Sequence, residues 1–295
     1  MTGGRGRCGV LCLVALVCVT IGTPAEAQDF RGSIIGTIVD ASGGLLPGVT
    51  VLITHNETQV SQTVVTDGRG VYQALYLNLG MYTITATLQG FKKVVRPNNP
   101  VAIGEALRVD ITLEAGGVSE VVEVVADTPL INTTTGVSGL TVDNKQIAQL
   151  PLGDGTAYML TRLAPGIMDT SDLHFARPMD NGNLGGVVTN GVQGGNEFTI
   201  DGAPNLSNAR GVGFSPPSDA IAQFKVQTNA FDGQTGHTAG AVVNLALKSG
   251  TNAIHGQAGY FNRDDKRTST PLLTERANAD KPTREYNRAT GTVGG

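Results

Sequence analysis

The sequence predicts a mainly β protein, a small β-sandwich followed by a compact α+β unit. Three observations carry this expectation. Glycine supplies 40 of the 295 residues, only 16% are charged and tryptophan is absent, a composition that favours turn-rich strands over charged helices. Apolar and polar residues alternate along 82–88 and again along 107–113. Turn-forming residues separate the apolar runs up to Ala115. A hydrophobic content of 40% sets the chain apart from disordered segments, and the glycines lack the period of collagen. A formal charge of −4, with no Lys/Arg-rich run, gives no basis for a nucleic-acid partner.

Residues 1–27 read as an export signal. Arg5 and Arg7 precede an apolar stretch from Val10 to Ile21, and Ala25-Glu26-Ala27 supplies a small-x-small cleavage pattern. That stretch is shorter than the roughly 20 residues a membrane-spanning helix needs, which sets aside the alternative of an anchor. A lipoprotein reading through Cys18 meets Val17 where a small residue is expected. The three cysteines, Cys8, Cys12 and Cys18, all lie in this segment. Cleavage therefore leaves a chain without disulfides, zinc-thiolate sites or Cys nucleophiles.

Residues 30–115 form the predicted sandwich. Tyr82, Ile84, Ala86 and Leu88 alternate with threonines, and Leu107, Val109, Ile111 and Leu113 alternate with Arg108, Asp110, Thr112 and Glu114. Period two marks half-buried strands. Burying four such side chains is worth about 6–12 kcal/mol, a gain that requires a second sheet over the face. Asp40–Gly44, Leu46-Pro47-Gly48, Asp67-Gly68 and Gly90 supply the turns. Residues 116–136 read as a linker containing the apolar run Val121-Val122-Glu123-Val124-Val125, for which an additional edge strand is one reading.

Beyond Val142 the texture changes. Asn144–Leu150 and Thr156–Leu163 predict short helices, the second ended by Pro165-Gly166. The stretch 169–195 predicts loops. Asn196–Gly202 predicts a strand entering a turn, Ser218–Gln223 a helical turn, and Phe224–Gln227 and Ala241–Lys248 two more strands. This order fits an α+β unit rather than a βαβ repeat.

Signatures of catalysis are missing from the sequence. His55, His174, His237 and His255 show no i, i+4 pairing and no nearby acidic metal-ligand set, and there is no nucleophile elbow, Ser-x-x-Lys or P-loop. No enzyme activity, catalytic residue, cofactor or metal site is predicted.

Three segments resemble one family, the TonB-dependent outer-membrane receptors of the Oar-like type. G-S-I-I-G-T-I-V-D-A-S-G-G-L-L-P-G-V-T-V (32–51), T-D-G-R-G-V-Y (66–72) and Y-T-I-T-A-T-L-Q-G-F (82–91) resemble the carboxypeptidase regulatory-like domain, a non-catalytic fold shared with carbohydrate-binding modules. Q-L-P-L-G-D-G-T-A-Y-M-L-T-R-L-A-P-G (149–166) is similar to the opening of a TonB-receptor plug. S-D-A-I-A-Q-F-K-V-Q-T-N-A-F-D-G-Q-T-G-H-T-A-G-A-V-V-N-L-A-L-K-S-G-T-N-A-I-H-G (218–256) resembles the end of the plug and the approach to a first barrel strand, with Phe198–Gly202 matching the plug strand before it. His237 departs from the family, which more often has Arg or another polar residue there.

The resemblance implies a plug over 137–254 and the start of a transmembrane β-barrel over 255–295. It implies an outer-membrane protein with its sandwich on the periplasmic side and its barrel in lipid. Glu120, Val121, Val122, Glu123, Val124, Val125 and Ala126 resemble a TonB box, the segment to which TonB adds a strand; the edge-strand reading stands beside this one. The implied ligand is an oligosaccharide, peptide or metal chelate, met by loops around 169–190 and 205–215. Forty residues follow His255, enough for about two strands where known barrels begin at about eight, so the sequence is expected to be the N-terminal part of a longer receptor. A self-contained exported carbohydrate-binding-like module and an accessory segment of a secreted peptidase are the competing functions.

Overall fold

A computed structural model describes residues 30–117, 121–123, 139–150, 156–169, 187–207, 211–229, 238–267, 269–270, 272–281, 283 and 285–295. The predicted export segment lies outside them. The chain is mainly β. Strands β1 (Gly32–Asp40), β4 (Val71–Leu77), β7 (Ala106–Arg108) and β8 (Ile111–Leu113) form one sheet, with β1 at its centre. The second sheet runs β3 (Ser61–Val65), β2 (Thr50–His55), β5 (Gly80–Thr87), β6 (Lys93–Val101), β9 (Val121–Glu123).

Both sheets turn one face into a common core. Ile34, Ile38, Tyr72, Ala74 and Leu113 come from the first, and Val51, Ile53, Tyr82, Ile84, Ala86 and Val94 from the second. The expected alternation along β5 holds, with Tyr82, Ile84 and Ala86 buried and the threonines between them half-exposed. The stretch 107–113, by contrast, is two strands rather than one. Val109 is buried at the break, where its carbonyl accepts a hydrogen bond from the Tyr72 hydroxyl at 2.7 Å. Asp110 there takes the Thr37 N–H on its side chain at 2.9 Å, so a carboxylate replaces a main-chain partner and the ladder is interrupted.

Two carboxylates fix the turns of the sandwich. Asp40 accepts from the Ser42 hydroxyl (2.6 Å) and from the N–H groups of Gly44 and Ser42 (2.8 Å each). Asp67 accepts from the N–H groups of Val71 (2.9 Å) and Arg69 (2.8 Å). These bonds, led by the Ser42 hydroxyl for Asp40 and the Val71 N–H for Asp67, hold both pKa values below the ordinary 3.8. A depressed folded pKa contributes stability above the unfolded value that disappears as pH falls through the folded one. Thermal melts should accordingly show the midpoint falling below about pH 4, less steeply in Asp40→Asn; an identical slope in the variant would remove Asp40 from this account.

The second unit centres on a mixed sheet in the order β10 (Gly139–Asp143), β16 (Ile221–Gln227), β17 (Val242–Leu247), β14 (Glu197–Ile200), β15 (Ala203–Pro204). The predicted helix after Val142 is α1 (Asn144–Gln149). Its start is a capping box in which Asp143 accepts from the Gln146 N–H at 2.7 Å and the Gln146 side chain accepts from the Asp143 N–H at 3.3 Å. The predicted helix at 156–163 is instead a 3₁₀ segment, Ala157–Leu163, whose Thr156 makes no side-chain cap.

The helical turn expected through Gln223 ends at Ala220, because β16 already begins at Ile221. The pairing of β16 with β17 shifts register between Ile221 and Gln223. One extra residue in the strand places buried Ile221 and Phe224 three apart, a spacing that imitates a helix.

At the start of the stretch expected to be loops and within it, β11 (Ile167–Asp169), β12 (Val187–Thr189) and β13 (Val192–Gln193) form a small sheet. Residues 170–186 of that stretch lie outside the described residues. The chain ends in a hairpin of β18 (His255–Asp264) and β19 (Glu285–Gly294), with α2 (Leu272–Arg276) in the connection.

Candidate functional site

The described part of the candidate contact segment, Val121–Glu123, sits at the rim of the sandwich. Strand β6 pairs with β5 on one side and, in parallel, with β9 on the other: Lys93 opposite Val121, Val94 opposite Val122, Val95 opposite Glu123. Val94 is buried, and half-buried Val122 packs against the same core. Of the seven predicted residues, Val121, Val122 and Glu123 are thus an edge strand, as one of the two readings expected. Glu120, Val124, Val125 and Ala126 lie outside the described residues.

The far end of β6 enters a second contact, with the mixed sheet. Ile103, in the turn between β6 and β7, is 1% exposed. Its N–H donates to Gln223 Oε1 and its carbonyl accepts from Lys225 Nζ, both at 2.7 Å. Two side chains of β16 therefore read both polar groups of one backbone residue. Asn252 makes a parallel contact elsewhere on the sandwich, donating from its backbone N–H to the Glu57 carbonyl (3.3 Å) and from Nδ2 to the Thr58 carbonyl (2.7 Å). A cleft of about 790 Å³ borders these contacts, with Met81, Asp143, Asp201, Lys248 and His255 on its walls.

The core beneath the mixed sheet is built around Tyr158. This fully buried ring meets Phe198 and Phe224 edge-on, with centroids 5.6 and 6.0 Å away. Burial pushes its phenol far above the ordinary 10.0, so it stays protonated. The hydroxyl accepts from Asn205 Nδ2 at 2.9 Å. Asn205 in turn accepts from the Phe214 N–H at 2.8 Å and donates to the Phe214 carbonyl at 2.7 Å. The loop 205–215, expected on sequence grounds to meet ligand, is thereby tied to the core at its two ends; residues 208–210 lie outside the described residues.

The histidine at the end of β2 has a structural role. His55 is buried, and its Nδ1 accepts from the N–H groups of Glu57 and Thr58 at 3.2 Å each, which leaves Nε2 to donate to the Leu79 carbonyl at 3.0 Å. A Cβ on Gly80, whose φ is +143°, would stand 2.4 Å from that Nε2. His255 is exposed, and His174 and His237 lie outside the described residues. Among the described residues no three His, Cys, Asp or Glu side chains gather to hold a metal.

The two-sheet sandwich coincides with a known family. Residues 33–114 match the family of the carboxypeptidase regulatory-like domain. The chain as a whole is similar to the TonB-dependent transporter Oar of Myxococcus xanthus, 31% identical over 245 residues that cover 80% of this chain and 22% of the relative. The chain thus spans about a fifth of the length of that relative. The Oar-like resemblance drawn from the motifs is borne out on both counts, and the relative is named a transporter. Among solved structures, the TIE protein of Bacillus anthracis has a TM-score of 0.26 at 19% identity, over 29% of this chain and 17% of that one. A catechol 1,2-dioxygenase of an Acinetobacter species has a TM-score of 0.25 at 12% identity, over 32% and 55%. Likeness at this level bears on no function.

Proposed function

We propose that the chain is the N-terminal portion of a TonB-dependent outer-membrane receptor that binds a substrate and imports it when TonB rearranges its plug. The observation that carries the proposal is the reach of the similarity to the Myxococcus xanthus transporter. It extends over 245 residues that cover 80% of the chain, far beyond the sandwich at 33–114, and so reaches into the mixed-sheet unit. In this reading residues 1–27 direct export, 30–115 form a periplasmic sandwich, 116–136 a linker, 137–254 the plug and 255–295 the start of the barrel.

The terminal hairpin supports the same reading. Along β19, Ala289, Gly291 and Val293 are exposed, whereas Arg288, Thr290 and Thr292 are half-buried. Thr290 donates to Asp219 at 2.6 Å, so the polar face turns toward the mixed-sheet unit. Tyr260 and Val293 are 72% and 90% exposed on the other face. Over residues 288–293, polar toward the plug and apolar away from it is the alternation of an outer-membrane strand, while Glu285 and Asn287 lie exposed at the start of β19. Among the described residues no other strand pairs with this hairpin. Backbone groups left unpaired in lipid cost several kcal/mol each, which a closed barrel avoids.

The energising partner is TonB, and its proposed contact is Glu120–Ala126. An oligosaccharide, peptide or metal chelate is the proposed cargo. A synthetic peptide of residues 119–128 should compete with the intact chain for the periplasmic domain of TonB. Failure of the peptide to displace the chain at any concentration would refute the assignment of the segment.

A further inference from the structure

We infer that the sandwich is a clamp on the mixed sheet: the turn between β6 and β7 docks on β16 through Ile103, Asn252 closes a second contact, and the two contacts open and close together. The turn is built to present one residue. Gly104, with a φ of 52°, donates its N–H to the Phe30 carbonyl at 2.8 Å, and the Glu105 carbonyl accepts from the Ser33 N–H at 2.9 Å. These bonds tie the turn to the sandwich from behind and hold Ile103 ready for its partner. Turn residues ordinarily face water, yet Ile103 is 1% exposed and belongs to neither apolar core. Strand β16 meets its backbone. Phe224 faces the core around Tyr158, so Gln223 and Lys225 on either side of it lie on the opposite face of the strand. Together they bond both polar groups of the Ile103 backbone.

The contact is a joint rather than an incidental touch. A backbone group buried away from water needs a partner, and both groups of Ile103 have one. The bond from Lys225 is charge-assisted, the stronger kind. The second contact stands elsewhere on the sandwich, where Asn252 bonds the carbonyls of Glu57 and Thr58. The cleft of about 790 Å³ reaches both, with Val101 and Gln223 on its wall near one and Glu57 and Thr251 near the other. One contact alone would let the sandwich pivot about it. Two leave rotation only about the line that joins them. Both units belong to one chain, so contacts too weak to hold separate proteins together suffice here. On the proposed reading of the mixed sheet as a plug, release of the sandwich precedes its rearrangement, and only this last step rests on the transport reading.

Hydrogen exchange of the intact chain reads the docking directly. The Ile103 amide is bonded by a side chain of the other unit, so its protection ends when the units part. Lys225→Met should speed exchange at Ile103 by about tenfold through loss of the charge-assisted bond. Asn252→Ala is the decisive variant, because its bonds go to Glu57 and Thr58 rather than to the turn. Release there should speed exchange at Ile103 by about fivefold, while strands β5 and β17 keep native protection. Unchanged exchange at Ile103 in Asn252→Ala would overturn the clamp and leave two independent surface contacts. An Ile103 amide that exchanges freely in the unmodified chain would overturn the docking itself. None of these outcomes involves TonB, so a 119–128 peptide that does not bind TonB would count against the transport reading and leave the clamp standing.

Discussion

Gly36→Val is expected to abolish the sandwich. Gly36 lies in the central strand β1, where a Cβ would stand 1.9 Å from the Val109 carbonyl oxygen and 2.8 Å from a ring carbon of Tyr72. Val109 is fixed from two sides, since its N–H donates to the Ile35 carbonyl at 2.8 Å and its own carbonyl accepts from Tyr72. The neighbour that would have to move is therefore backbone, held in the break between β7 and β8. Overpacking a core costs about 1–3 kcal/mol where side chains can adjust, and here the larger end of that range or beyond is expected. Chemical denaturation should show the sandwich unfolded or destabilised by about 3 kcal/mol or more. Gly68→Ala is the control, because nothing lies within 4 Å of its added Cβ. Native stability of Gly36→Val would mean that β1 does not approach Val109 as described.

Tyr158→Ala is expected to cost about 3–5 kcal/mol, the usual penalty for removing a buried aromatic ring. The ring fills the space between Phe198 and Phe224 and is fully buried. Tyr158→Phe separates packing from hydrogen bonding. It keeps the ring but removes the acceptor for Asn205, which retains its bonds to the Phe214 backbone. Loss of one such bond is worth about 1 kcal/mol. Denaturant unfolding of both variants should give a much larger effect for Ala than for Phe, with faster exchange near Phe214 in each. Equal effects would shift the importance of Tyr158 from its ring to its hydroxyl.

The parts of the fold legible in the sequence are those whose cause is local. The threonine alternation of β5 and the Asp143–Gln146 capping box are written within a few residues of each other. The break at Val109–Asp110 was not legible, because it depends on Tyr72 and Thr37, which are distant in the chain. The same holds for the bond pair on Ile103, whose partners Gln223 and Lys225 lie about 120 residues away. An isolated isoleucine between Ala102 and Gly104 carries no signal of such a contact. At Ser218–Gln223 the acidic first turn marks the helical turn Ser218–Ala220, but nothing local signals that β16 already begins at Ile221. The strands β11–β13 are only two or three residues long, too short for any period to register. The Val121–Val125 run is different: its composition suits both an edge strand and a TonB contact, and of it Val121–Glu123 pair with β6 as an edge strand.

Titration of the periplasmic domain of TonB against the intact chain and against the chain lacking residues 120–126 tests the central claim most directly. The account predicts that the deletion abolishes binding while the unfolding transitions of the sandwich core around Tyr72 and of the core around Tyr158 stay in place. Undiminished binding by the deleted chain, with both cores intact, would contradict it.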